Sequence, residues 1–137
     1  MLIKGNIPKK HLSAINYYAD ALFSHQKRQH LELHIHYCHK KTEEYGTIGV
    51  LDYNSRNKPI SFDIVIYRDD EVEMLKTLAH EMVHVKQYAL GELNDEMTHW
   101  RGQEMDSDSI PYDEQEWEIE AETVGLILYQ EFKSEQE

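Results

Sequence analysis

His80-Glu81-Met82-Val83-His84 is the segment of this chain best suited to chemistry. Two histidines four residues apart lie on one side of a helix, one turn apart. Their ring nitrogens can hold one metal ion, and Zn²⁺ is the usual choice for such a pair. Glu81 sits between them, where it can take a proton from a metal-bound water. Those are the working parts of a zinc hydrolase, most often a peptidase. A catalytic zinc needs three protein ligands and one open position, so a third ligand must come from further along the chain.

Three residues compete for that role: Glu118, Glu120 and His99. On a helical wheel Glu118, Glu122, Gly125 and Tyr129 share a face, and Glu120 points away from it. Gly125 removes a side chain there, which lets another backbone come close; the helix carrying the histidines is the expected neighbour. Glu118 is therefore best placed to reach the metal. Glu122, one turn on, can accept the free N–H of a ligand histidine and fix its ring. On the same wheel, removing Glu120 should leave metal affinity nearly unchanged. The remaining histidines carry less. His34 and His36 share a strand face without an evident third ligand, and His11, His25, His30 and His39 read as surface.

The elements that must position these residues follow from periodicity. Pro8 suits the first turn of a helix, and Leu12, Ile15, Tyr18 or Ala19 and Leu22 continue at helical spacing, to about residue 30. Residues 31–37, 45–53 and 60–67 alternate as strands, and their short links predict a three-stranded, mostly antiparallel meander. Asp69 or Asp70 can cap the next helix, which ends near Leu90 before Gly91. Leu75, Leu78, Met82, Val85 and Ala89 form its apolar stripe, with His80 and His84 roughly 160° around the wheel. Residues 92–110 show no period and read as a long loop. Asp113 and Glu116 suggest a capping box for a last helix, with Trp117, Ala121, Val124 and Leu128 as its stripe. Residues 133–137 read as a frayed polar end.

A chain of 137 residues fits one domain, 1–137. Hydrophobic content of 40% is too high for a disordered chain. A net charge of −12 argues against nucleic acid or an anionic membrane as partner. No apolar run is long enough for a membrane span or a secretory signal. The single cysteine, Cys38, excludes an internal disulfide and favours a reducing compartment. The cytoplasm is the expected location.

Helix, strands, the His80–His84 helix and then Trp117-Glu118-Ile119-Glu120-Ala121-Glu122 together resemble the compact gluzincin-type metallopeptidases. That group includes minigluzincins and the SprT-like and ImmA/IrrE-like proteins of bacteria and phages. The likeness runs over roughly residues 62–128 and rests on motif and element order. It implies a zincin-like α+β fold, a Zn²⁺ cofactor, a peptide or protein substrate and Glu118 as third ligand, with Glu120-Ala121 matching the family's Glu-Ala pair. The SprT-like branch uses a third histidine instead, which here would be His99. The expected mechanism has Glu81 as general base, the strand ending at Tyr67 as the cleft edge, and Tyr112, His99 or Arg101 stabilising the oxyanion. Two alternatives differ in class. A regulatory zinc-binding module without turnover would have no use for Glu81. A DNA-associated protease of the SprT-like type is opposed by the net charge and by the lack of cysteines for a zinc ribbon.

Overall fold

The computed structural model describes residues 1–40 and 43–136. The fold is α+β, a mixed four-stranded sheet with helices packed on one face. The strands are β1 (Leu2–Lys4), β2 (Glu32–Cys38), β3 (Gly46–Tyr53) and β4 (Pro59–Tyr67). The helices are α1 (Lys9–Leu22), α2 (His25–Arg28), α3 (Glu71–Ala89) and α4 (Glu116–Glu135). A two-stranded hairpin, β5 (His99–Trp100) and β6 (Gln103–Glu104), lies between α3 and α4 in the chain.

The sheet is not the expected meander. Its order is β1-β2-β4-β3. β2 pairs with β4 in parallel, β1 adds in parallel to β2, and only β3 and β4 are antiparallel. The physical reason lies in which strands carry core residues. Leu33 and Ile35 of β2 and Phe62, Ile64 and Ile66 of β4 are all buried. These two strands take the centre. β3 buries none of its residues, so it goes to the edge. Its register slips between Val50 and Tyr53, an irregularity common on edge strands. The residues between β2 and β4, β3 included, form the crossover that a parallel pair requires.

α3 is the central element. Twelve of its nineteen residues are buried, so it is enclosed on most sides and not amphipathic in the ordinary sense. It packs against β4 and β3, against α1, and most extensively against α4. Asp70 caps it, accepting from the Glu73 N–H at 2.9 Å. All five residues of the expected stripe are buried.

Four local expectations fail. The first helix stops at Leu22, because Phe23 turns extended and is buried, and Ser24 then caps the short α2 through the Lys27 N–H. His11 is not a surface residue. It is 1% exposed, accepts from the Tyr37 hydroxyl at 2.7 Å and donates to Glu71 at 3.1 Å. It thus ties α1, β2 and the first turn of α3 together. Burial, then the Glu71 charge, pushes the Tyr37 hydroxyl up to about 12. The Asp113–Glu116 capping box is absent: Tyr112–Glu114 is a 3₁₀ turn, and α4 starts from Gln115 without a side-chain cap. At the other end α4 continues through Glu135, where a frayed end was expected; Glu137 lies outside the described residues.

α4 lies against the backbone of α3 at Gly125. A methyl group there would stand 3.1 Å from both the Cα and the N of His80. Neither backbone atom can swing aside. An exposed helical Gly→Ala change stabilises by about 1 kcal/mol through helix propensity. Overpacking costs about 1–3 kcal/mol. Gly125→Ala should therefore be no more stable than the parent protein, and up to about 2 kcal/mol less stable. Urea unfolding measures this, and a gain of 1 kcal/mol would contradict so close an approach.

Candidate metal centre

α3 presents His80 and His84 one turn apart, and α4 crosses them with Glu118. The two Nε2 atoms are 3.2 Å from each other, and Glu118 Oε1 is 3.2 Å from each. Tetrahedral zinc with bonds near 2.0 Å places neighbouring donor atoms about 3.3 Å apart. The triangle of two imidazoles and one carboxylate therefore has the size and the chemistry of such a donor set. It is the one group of this kind found among the described residues.

Glu81 lies beside the triangle, 5% exposed, and its Oε2 has no hydrogen-bond partner. Burial raises its pKa, against the lowering influence of His84 and His80. Glu118 moves the other way. Burial opposes its ionisation, but hydrogen bonds from His80 and His84, and their charges, outweigh it and hold the carboxyl well below the usual range. Glu81 and Glu118, near enough to feel each other's charge, thus sit in opposite environments. His84 loses from burial and gains more from Glu118, Glu81 and Gln87, so its pKa rises.

Each histidine has a partner on its other nitrogen. Glu122 Oε2 stands 3.3 Å from His80 Nδ1, as the helix face suggested, although its side chain is 79% exposed. Gln87 Oε1 stands 2.7 Å from His84 Nδ1 in a buried contact. Gln87 was not anticipated, yet its position three residues after His84 on the same helix carries the signal. Glu120 points away from the triangle but is not idle: it accepts from Gln87 at 3.1 Å and pairs with Lys86 and Arg101. His99 lies exposed on β5, bonded to Thr98, and is not part of the cluster. Arg101 is occupied by Glu120 and Glu92. Of the three residues considered for the oxyanion, Tyr112 alone lines the cleft, and its hydroxyl donates to Glu118 Oε1 at 3.0 Å.

The cleft has two lobes, of about 420 and 410 Å³, that share Gly46, His80, Glu81 and Tyr112. One lobe has charged walls, including Lys76 and Glu122. The other combines His84 and Glu118 with apolar walls from Ile48, Tyr88, Leu93, Met97 and Trp117. Its strand wall is the start of β3, an edge strand of the sheet with no further strand paired to it among the described residues. The strand ending at Tyr67 is β4, which lies between β2 and β3 and offers no edge to the cleft.

These shifts set the pH dependence of the metal-free protein. A raised Glu81 pKa stabilises the fold fully below its ordinary 4.5, and that stability is lost as pH rises through the folded value. A raised His84 pKa has the same sign, with loss starting above 6.5. The lowered Glu118 pKa adds stability that persists above 4.5 and is lost only in stronger acid. Metal-free protein should therefore be less stable at about pH 8 than at about pH 5. Chelator-treated urea titrations test this, and Glu81→Gln should flatten part of the slope; an unchanged slope would refute the Glu81 contribution.

Comparison with protein-family models, curated protein sequences and solved structures finds no match to this chain.

Proposed function

We propose that the protein is a zinc-dependent metallopeptidase of compact, gluzincin-like type, with His80, His84 and Glu118 as metal ligands and Glu81 as general base. One observation carries the reading: two imidazoles and a carboxylate converge on a point beside a buried carboxylate oxygen that has no partner. A structural zinc is normally closed by four ligands. Here three donors face a cleft, which leaves room for a reacting group.

Zinc in this site supplies Lewis-acid polarisation of a carbonyl and a lower pKa for a nearby water. The remaining work belongs to the protein. Glu81 Oε2 takes the proton of the attacking water and delivers it to the leaving amine. One carboxylate beside the triangle can take that proton and give it up again, so no second group is needed for the two halves of the task. The Tyr112 hydroxyl donates to the oxygen that gains charge. It is 65% exposed and on a loop turn, so it can move from Glu118 to a substrate. The unpaired edge of β3 beside Glu81 accommodates an extended polypeptide as an added strand. No helix of the described residues is long and apolar enough to cross a membrane.

Protein purified without chelator should contain about one equivalent of zinc by elemental analysis. Glu118→Ala should abolish tight binding, and Glu122→Ala should weaken it by about 10-fold, the lower end for a group that orients a ligand. His99→Ala should bind normally. Less than about a tenth of an equivalent after zinc is added would refute the site, and loss of zinc in His99→Ala with retention in Glu118→Ala would move the third ligand to His99.

Glu81→Gln should keep zinc and fold but lose peptide hydrolysis, since an amide cannot act as base. A peptide library screened by mass spectrometry reads this. Full turnover by Glu81→Gln would exclude the mechanism, and a parent protein that binds zinc but cleaves nothing would favour a binding module.

A further inference from the structure

Gln87 is completely buried, and its amide is surrounded by three partners. His84 Nδ1 is 2.7 Å from Oε1. The Trp117 carbonyl is 2.9 Å and Glu120 Oε1 is 3.1 Å from Nε2. An amide has an accepting end and a donating end. A carbonyl and a carboxylate can only accept. The two partners from α4 therefore require the nitrogen end, and the oxygen end is left for His84. Reversing the amide would set its oxygen against two acceptors inside a buried site, where unmade hydrogen bonds are most costly. Glu120 cannot drift out of this arrangement, because Lys86 Nζ holds it at 3.2 Å and Arg101 Nη2 at 2.5 Å.

We propose that Glu120 and the Trp117 carbonyl, acting through Gln87, keep a proton on Nδ1 of His84, so that Nε2 is the ring atom committed to the His80–Glu118 triangle. Gln87 and Glu120 are thus positioning residues. They act on the ring of His84 and touch neither the cleft nor a substrate. The consequence for zinc affinity rests on the metal-site reading above; the orientation of the amide and the proton on Nδ1 do not. Because Arg101 belongs to the β5–β6 turn, the hairpin is joined to the same chain of contacts. That gives the long segment between α3 and α4 a role in holding His84.

The test starts with metal-free protein carrying ¹⁵N-labelled histidine. Long-range ¹H–¹⁵N spectra, with His84→Phe for assignment, should show a slowly exchanging proton on His84 Nδ1. In Gln87→Leu that protection should vanish, and zinc should bind about 10- to 100-fold more weakly. Glu120→Leu should have a smaller effect in the same direction, under about 10-fold. Gln87→Glu alone sets two carboxylates against each other and should also bind weakly. Combining Gln87→Glu with Glu120→Gln gives the new carboxylate a donor in place of a second carboxylate, although the Trp117 carbonyl still lacks one, and should recover the slow proton and part of the affinity relative to Gln87→Glu alone. If Gln87→Leu does not fold, as read by circular dichroism, Glu120→Leu and the exchanged pair decide. An unprotonated Nδ1 in the parent protein would overturn the proposal, as would unchanged exchange and affinity in the folded variants. A parent protein with the slow Nδ1 proton but no zinc binding would support this inference and refute the metal site instead.

Discussion

Two helix backbones meet at Gly125, and the candidate site depends on that contact. The missing Cβ lets α4 lie directly on the backbone of His80. Trp117 at the other end reaches Gln87, so the two helices run in opposite directions along their contact. Between these points the residues of α4 fall into place by helical spacing. Glu122 meets Nδ1 of His80, and Glu118 meets Nε2 of both histidines. A larger residue at position 125 would move the whole set outward together, since a helix shifts as a rigid element.

The close approach also concentrates titratable groups, two of which, Glu81 and His84, are buried. Four titratable groups, Glu81, Glu118, His80 and His84, share one small volume, and the two carboxylates sit in different environments. Glu118 receives three hydrogen-bond donors, from two histidines and Tyr112, and stays ionised. Glu81 Oε2 receives none, and burial pushes its pKa up. Carboxylates driven in opposite directions by neighbouring environments are suited to different tasks, one holding charge and the other exchanging protons.

The sheet supports this arrangement in two ways. β4 and β3 lie under α3, and the His11–Tyr37–Glu71 contact fastens the first turn of α3 to α1 and β2. The sheet's edge strand, β3, is left free among the described residues beside Glu81. A central strand has both of its hydrogen-bonding sides occupied; an edge strand has one open. The placement of β3 therefore decides what can lie along the cleft.

The features set by residues close together in the chain were legible in the sequence. Helical spacing placed His80, Glu81 and His84 together, and it put Glu118, Glu122 and Gly125 on one face. The Asp70 cap and the stripe from Leu75 to Ala89 rest on contacts within a few residues. The strands' order was not legible, because alternation in β2, β3 and β4 tells which face is apolar and says nothing about which strand is the neighbour. β1 was too short to show a period. His11 looked exposed because its partners, Tyr37 and Glu71, are distant in sequence. Gln87 drew no notice in the sequence, and Glu120 was weighed only as a metal ligand. Their importance arises only where α3 and α4 meet, since the direction of a buried amide is set by every acceptor around it. Local spacing determined which residues could form a site; the packing of distant segments decided which of them point at one another.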